Sequence, residues 1–321
     1  MKKVAIIFTG GTISMRVDPR LKAAIPSMSS EDIMSMVTNI DQIAELDIIE
    51  FGKYPGPHMT PEKMMELKDL VLKKLSQEDI DGVVVTHGTD NLEETAYLLD
   101  LTVHDHKPVV VVGAMRNGSE LGYDGPSNLA AAICTAIHPE SRDRGVLVVL
   151  NNEVNAAREV TKTHTMSLDT FKSLEFGPIG IVDQEDVIYY RQSLQQKIHI
   201  ETDRIEQDVH LIKSASGMDS LLLDFLTDHG AKGIVVEAMG RGNLPPLMVP
   251  GIKRAIEADI PVIIVSRCPM GRLLGSYGYE GGGAQLQDLG AILTSALNGQ
   301  KARIQLMLAV CTSDWKAVFK P

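Results

Sequence analysis

Two threonines stand where a hydroxyl can be turned on a bound molecule. The apolar run Val4-Ala5-Ile6-Ile7-Phe8 leads into Thr9-Gly10-Gly11-Thr12-Ile13, and Gly82-Val83-Val84-Val85 ends in Thr86-His87-Gly88-Thr89-Asp90-Asn91. Open α/β sheets collect ligands at the carboxyl ends of their strands, and glycine there lets backbone N–H groups come close to the ligand. A hydroxyl at such a strand end is a candidate nucleophile once a base takes its proton, and a neutral lysine amine held among apolar groups is suited to that task. The run Arg158-Glu159-Val160-Thr161-Lys162-Thr163-His164-Thr165 places Lys162 among hydroxyls. Asp90, beside Thr89, is the carboxylate available to orient that lysine and to bind an ammonium group.

Each pattern alone has a plainer reading. Thr-Gly-Gly-Thr equally suits a tight strand-to-helix turn, and a single lysine is by default a surface residue. Neither G-x-G-x-x-G nor G-x-x-x-x-G-K-[ST] follows either strand, which argues against a nucleotide phosphate cradle. His87 and Asp90 lie three apart, yet no second cluster at ligand spacing completes a metal site, so His87 reads as a structural hydrogen-bonding residue. Cys134, Cys268 and Cys311 are odd in number and far apart, which favours core thiols over disulfides or zinc ligands.

The elements that must position these residues alternate. Val4–Phe8, Asp47–Phe51, Gly82–Thr86, Pro108–Gly113 and Gly145–Leu150 are candidate strands with helix-period segments between most of them, the pattern of a parallel sheet covered by helices. Thr60-Pro61-Glu62 is a helix start, with an N-cap hydroxyl, a first-turn proline and an acidic residue at the positive end of the dipole, and it predicts a helix to about Ser76. The stretch from Ser14 to Ser30 shows no sustained period and reads as a loop of lid type, directly after Thr12. After Val187-Ile188-Tyr189-Tyr190 the chain turns polar, and alternation resumes with His210-Leu211-Ile212, Gly233–Val236 and Pro261–Val265 before an amphipathic helix at Lys301–Leu308. The expected fold class is α/β in two domains: a larger N-terminal domain (1–190) with a mostly parallel helix-covered sheet, a linker (191–208), and a smaller three-layer C-terminal domain (209–321).

Composition narrows the partners. A chain of 321 residues with 44% hydrophobic and 23% charged residues can bury a sizeable core. A formal net charge of -11 gives no footprint for nucleic acid or an anionic membrane, so a small-molecule partner fits better. No apolar run reaches the roughly 18 to 20 residues needed to cross a bilayer. The N-terminal apolar stretch ends too soon for a secretory signal, so a cytoplasmic location is expected.

Taken together the motifs are far more specific. Thr-Gly-Gly-Thr-Ile at 9–13, His-Gly-Thr-Asp at 87–90, Val-Gly-Ala-Met-Arg at 112–116, Asp-Gly-Pro-Ser-Asn-Leu at 124–129 and Val-Thr-Lys-Thr at 160–163 occur in the order and approximate spacing of the bacterial-type L-asparaginases. The chain resembles that family almost from end to end, with Gly240–Pro245 and Val265–Pro269 as further similar segments, and it is more similar to the cytoplasmic branch. The resemblance implies hydrolysis of the L-asparagine side-chain amide to L-aspartate and ammonia, with no metal or organic cofactor. It matches Thr12 to the nucleophile that forms an acyl-enzyme and Thr89, Asp90 and Lys162 to a second catalytic triad. It implies that Gly11, Gly88, Thr89, Asp90 and Ala114 bind substrate, with backbone N–H groups near Thr89 and Ala114 receiving the developing oxyanion. It also implies a homodimer or homotetramer in which Asn243, and with it Tyr277 or Glu280 beside Gly281-Gly282-Gly283, completes a partner's site.

Two departures stand out. The family's lid commonly supplies a tyrosine to the nucleophile, but none lies between Thr12 and Tyr54, which leaves Arg16, Lys22, Tyr54, Tyr277 and Tyr279 as substitutes. At Gly56-Pro57-His58-Met59-Thr60, where relatives place small polar residues on the substrate carboxylate, His58 is the polar side chain at hand, and in that role it makes binding pH-dependent. Three other readings remain. A glutaminase-asparaginase of broader specificity differs by one methylene of pocket space, worth about 1–3 kcal/mol. The ammonia-releasing subunit of an amidotransferase is disfavoured because the chain opens directly on its first strand. A non-catalytic asparagine or aspartate sensor would need no nucleophile, whereas Thr12, Thr89, Asp90 and Lys162 are all present.

Overall fold

The computed structural model describes residues 1–38, 40–193, 198–295 and 297–319. The chain divides into two compact units, Met1–His199 and Ile200–Pro321. Of the polar stretch expected as a linker, residues 194–197 lie outside the described residues.

The first unit carries β1 (Lys3–Gly10), β2 (Met15–Asp18), β3 (Ala23–Pro26), β4 (Glu45–Tyr54), β5 (Gly82–Thr86), β6 (Val109–Val112), β7 (Val146–Leu150), β8 (Glu153–Ala156), β9 (Thr161–Lys162), β10 (Phe171–Lys172), β11 (Gly180–Asp183) and β12 (Asp186–Tyr189). Among the described residues eight of these form one sheet in the order β12-β11-β8-β7-β6-β5-β1-β4. The five strands from β7 to β4 in that order pair in parallel, and β8, β11 and β12 extend the edge antiparallel. The parallel core arises because its strands are apolar on both faces. Val4, Ile6, Phe8, Val84 and Val110 pack with Leu129, Ala132 and Ile133 of the helix Gly125–Ile137. The alternate residues Ala5, Ile7, Val83, Val85 and Val111 pack with Leu67 and Val71 of the helix Pro61–Leu75 and with Leu92, Ala96 and Leu99 of the helix Leu92–Thr102. Period-2 alternation thus feeds two helix layers from one set of strands.

Helix Pro61–Leu75 starts and stops as the sequence leads one to expect. The Thr60 hydroxyl accepts from the Lys63 N–H at 3.5 Å and Ser76 closes the last turn. The segment after Thr12 differs from expectation. Instead of an irregular loop, β2 and β3 form a hairpin with Met15 opposite Pro26 and Asp18 opposite Ala23. Its turn is held by Asp18, whose carboxylate accepts from the N–H groups of Arg20 and Leu21 at 2.7 and 2.9 Å. An Asx-type turn between two four-residue arms is too short to show a period, which is why the strands escape a pattern search.

The second unit holds β13 (Val209–Lys213), β14 (Gly233–Ala238), β15 (Val262–Ser266) and β16 (Ile292–Leu293), all parallel. Ile212, Ile234, Val236, Val262 and Ile264 pack with Leu223, Ile252 and Leu286 of the helices Leu221–Asp228, Val249–Glu257 and Gly283–Leu289 on one face. The helix Gly299–Ala309 packs along β13, β14 and β15. This last helix is not the amphipathic element expected. Lys301 and Gln305 are as buried as Ile304 and Leu308, and the Gln305 amide donates to the Val318 carbonyl at 2.7 Å in the short 3-10 helix Trp315–Phe319. A polar residue covered by a capping turn reads in sequence as a solvent face.

The expectation of core thiols holds for Cys134, which is buried. It fails for Cys268, which is exposed where the chain leaves β15, and Cys311 is intermediate; none forms a disulfide. Among the described residues no helix is long and apolar enough to cross a membrane, and no group of three or more His, Cys, Asp or Glu is placed to hold a metal ion.

Candidate active site

Register decides which loops meet. Phe8 stands level with Thr86 across β1 and β5, Thr86 with Val112 across β5 and β6, and Gly10 with Tyr54 across β1 and β4. Four loops therefore leave the same carboxyl edge side by side: 11–14, 87–91, 113–116 and 55–59. Thr9 and Thr86 lock two of them together, the Thr9 hydroxyl donating to the Thr86 carbonyl at 2.7 Å and the Thr9 N–H to the Thr86 hydroxyl at 3.3 Å. These two threonines are spent on structure, which leaves Thr12 and Thr89 as the remaining pair of hydroxyls in the two motifs.

A stack of glycines brings the loops into backbone contact. Gly11 takes φ +80°, open to glycine and strained for a residue with a Cβ, and a Cβ there would run into the backbone of Gly88. A Cβ on Gly88 would in turn lie 2.7 Å from Gly56 and 3.4 Å from Gly11. Thr12 follows Gly11 and Thr89 follows Gly88, so the two threonines start from touching residues. Thr12 opens the short 3-10 helix Thr12–Ser14 and is half-buried; among the described residues its hydroxyl makes no hydrogen bond.

Thr89 is the wired partner. It is 5% exposed, and its hydroxyl accepts from the Lys162 ammonium at 2.9 Å, which also donates to Asp90 Oδ1 at 2.9 Å. Lys162 sits in β9, paired through Phe171 with β10, and the Thr163 N–H and hydroxyl both bond the Thr170 carbonyl at 2.8 Å to close that small ribbon. The lysine side chain is largely covered while Asp90 is two-thirds exposed, so this ion pair has one dry end and one wet end. The wet carboxylate remains available to a ligand cation.

Two peptide groups near Thr89 are turned by their carbonyls. His87 Nδ1 lies 2.9 Å from the Gly88 carbonyl, which can only accept, so Nδ1 carries the proton and Nε2 accepts from the Thr95 hydroxyl at 2.8 Å. Burial pushes His87 down to about 4, which keeps this ring neutral near pH 7. On the next strand the Asn128 amide donates to the Gly113 carbonyl at 3.0 Å and to Asp124 at 3.0 Å. Asp124 accepts from the N–H groups of Met115 and Arg116 at 3.0 and 2.9 Å. In a trans peptide the N–H points opposite to the C=O. Tying back the carbonyls of Gly88 and Gly113 therefore turns the N–H groups of Thr89 and Ala114 the other way, and neither donates to a described group. Gly113 also lies against Thr89, where a Cβ would come 3.1 Å from the threonine methyl.

The remaining expected residues fall as follows. His58 is exposed in the 3-10 turn Gly56–His58, and Gly56 packs against Asp90 and Asn91. Asn91 donates to the Met59 carbonyl at 3.2 Å and leaves its Oδ1 buried without a partner. Tyr54 folds its ring over Gly52 and beside Lys63, while its carbonyl accepts from the Gly11 N–H at 2.8 Å. Arg16 and Lys22 are exposed on the hairpin. Asn243, in the second unit, accepts from the Gly283 N–H at 3.2 Å, and Leu244 donates to the Gly281 carbonyl at 2.8 Å. The glycine run Gly281-Gly282-Gly283 is thus bonded to the segment bearing Asn243. Tyr277 and Tyr279 are exposed there. Pattern reading missed the work of Asn128 and the presence of Tyr123, whose hydroxyl donates to the Ile13 carbonyl. The signal for Asn128 was its place one turn after Asp124, where both reach the same loop.

Residues 3–195 match the family described as Asparaginase, N-terminal, and residues 208–318 match the Glutaminase/Asparaginase C-terminal domain. The chain is 34% identical to an L-asparaginase of Bacillus licheniformis over 99% of this chain and 98% of that one. It is 33% identical to L-asparaginase 2 of Escherichia coli over 97% and 89%. A crystal structure of a probable cytoplasmic L-asparaginase from Campylobacter jejuni superposes with a TM-score of 0.89 at 32% identity, covering 99% of this chain and 98% of that one. With the strand-end threonines, the lysine ribbon and both domains accounted for, the chain belongs to the asparaginase family.

Proposed function

We propose that the protein hydrolyses L-asparagine to L-aspartate and ammonia through an acyl-enzyme on Thr12. The observation that carries this is the single ammonium of Lys162 at 2.9 Å from both the Thr89 hydroxyl and Asp90, on a loop whose Gly88 touches the residue before Thr12. The Thr12 oxygen attacks the side-chain amide carbon. The N–H groups of Thr89 and Ala114 take the oxyanion, each such donor being worth about 10²–10³ in rate. Lys162 acts as base in its neutral amine form, which still donates an N–H to Asp90: it takes up the proton that the attack releases, becoming the ammonium, and returns that proton to the leaving ammonia. A water positioned by Thr89 then cleaves the ester, giving the carboxylate of aspartate and restoring Thr12. Asp90 holds Lys162 with one oxygen and the substrate ammonium from its exposed side. His58 with the Gly56 turn receives the substrate carboxylate, and no metal or organic cofactor enters.

The same reading assigns Asn243 of a partner subunit to the site, makes 1–190 the catalytic domain and 209–321 the domain that completes it across a homodimer or homotetramer, and places the protein in the cytoplasm. Steady-state ammonia release from L-asparagine, D-asparagine and L-glutamine tests the activity. L-asparagine should be turned over fastest, and Thr12→Ala should lose nearly all release. No release from the wild type, or equal release from Thr12→Ala, would defeat the reading. Turnover of L-glutamine on a par with L-asparagine would instead favour the broader enzyme, in keeping with the combined glutaminase and asparaginase description of the second domain.

A further inference from the structure

We propose that Tyr123 is the positioning residue that sets the Thr12 turn, in a chain with no tyrosine on the hairpin that follows the nucleophile. This rests on Thr12 being the attacking group. Every carbonyl around that turn is taken. Gly11 O accepts from the Ser14 N–H at 3.0 Å and the Ser14 hydroxyl at 2.9 Å, Thr12 O from the Met15 N–H, and Ser14 O from the N–H groups of Ser27 and Met28 at 3.0 Å each. Met15 O accepts from the Gly118 N–H at 2.9 Å. The Ile13 carbonyl differs from these four: it is taken by a side chain from a distant segment, the hydroxyl of Tyr123. Ile13 is fully buried, so without that hydroxyl its carbonyl loses its partner where water does not reach. The turn would then have to move, and Thr12 is its first residue.

Tyr123 is built to hold this bond. Its ring packs against the core cluster that includes Met28, Ile33 and Leu129, and folds over Gly125, where any side chain would collide with it. The 117–123 segment is fastened along the hairpin by Gly118 and by Ser119, whose hydroxyl accepts from the Val17 N–H at 3.0 Å, so Tyr123 is the last of three rungs. Burial and the charge of Asp124 hold the phenol above its usual titration range, against the pull of Arg16, so it stays a donor. The residue touches no reacting atom; it acts through Thr12.

The test is Tyr123→Phe, which keeps the ring and removes the hydroxyl. kcat for L-asparagine should fall about fivefold to tenfold, equivalent to about 1–1.4 kcal/mol of barrier, with KM changed by less than about twofold. The thermal midpoint should stay within about 2 °C of wild type. Tyr123→Leu, which also removes the ring, should lose the same kcat and in addition unfold at lower temperature. Wild-type kcat in Tyr123→Phe would overturn the proposal, as would a fall in kcat that merely tracks a fall in thermal midpoint, the mark of a structural residue. Thr12→Ala run alongside separates the two claims. Activity retained there sinks the nucleophile assignment, whereas its loss together with an unaffected Tyr123→Phe sinks the role of Tyr123 alone.

Discussion

Thr12 and Thr89 come from equivalent places, each after a glycine at the end of a central parallel strand, yet their surroundings are opposite. Thr89 is buried and bonded to Lys162, its preceding carbonyl pinned by His87. Thr12 is half-buried in a turn whose carbonyls are all occupied, while its own hydroxyl bonds to no described group. A hydroxyl already engaged by an ammonium suits proton handling and placement of water. One left free on a rigid turn suits attack. The asymmetry of wiring is thus the physical ground for dividing the chemistry between them.

Removing the free hydroxyl should have the largest effect. Thr12→Ala is expected to lose about 10⁴ in kcat, since without an attacking oxygen only binding and the oxyanion donors remain. Thr89→Val tests the other half and should leave acyl-enzyme formation measurable while slowing turnover, a contrast visible in single-turnover kinetics. Next comes the base. Lys162→Met keeps the length of the side chain and removes the proton acceptor, and should cost about 10²–10⁴ in kcat, the usual worth of general acid–base catalysis. If Lys162→Met left kcat within about tenfold of wild type, Thr89 would have no catalytic wiring to contrast with Thr12.

His87 sharpens the comparison from the side of stability. Its folded value of about 4 lies below the unfolded value of about 6.5, so the unfolded chain binds more protons between those limits. The stabilisation should be intact above about pH 6.5 and be lost as pH falls toward about 4, on the order of 3 to 3.5 kcal/mol in all. Urea midpoints of wild type and His87→Asn from pH 8 to pH 5 check this. The wild type should fall more steeply, and parallel curves would show that the ring is not held neutral. Smallest is Gly88→Ala, whose Cβ would press on Gly56 at 2.7 Å and approach Gly11. It should cost about 1–2 kcal/mol in unfolding free energy and reduce kcat by spreading the threonine loops.

Local patterns made the framework legible. The valine runs of β5, β6 and β7 and the Thr60-Pro61 helix start carry their conformation in adjacent residues, so alternation and capping rules find them. What escaped depends on partners distant in the chain. The hairpin Met15–Pro26 is fixed by Gly118 and Ser119, about a hundred residues on, and its arms are too short for any period. Residue type sets Lys162 against Asp90 and the resemblance joins it to Thr89, while the ribbon through Phe171 that carries it there cannot be read from the sequence. Gln305 looked like part of a solvent face because the Val318 carbonyl that takes its amide comes later in the chain. Tyr123 was invisible for the same reason: a search confined to the segment after Thr12 cannot see a tyrosine that arrives from the loop before the helix Gly125–Ile137.

The division of labour between the two threonines is tested most directly by trapping the covalent intermediate. Acid quenching during turnover of L-asparagine, followed by peptide mapping by mass spectrometry, should find an aspartyl ester on the peptide that contains Thr12 and none on the peptide that contains Thr89. An ester on Thr89 would reverse the assignment, and the hydroxyl bonded to Lys162 would then be the nucleophile.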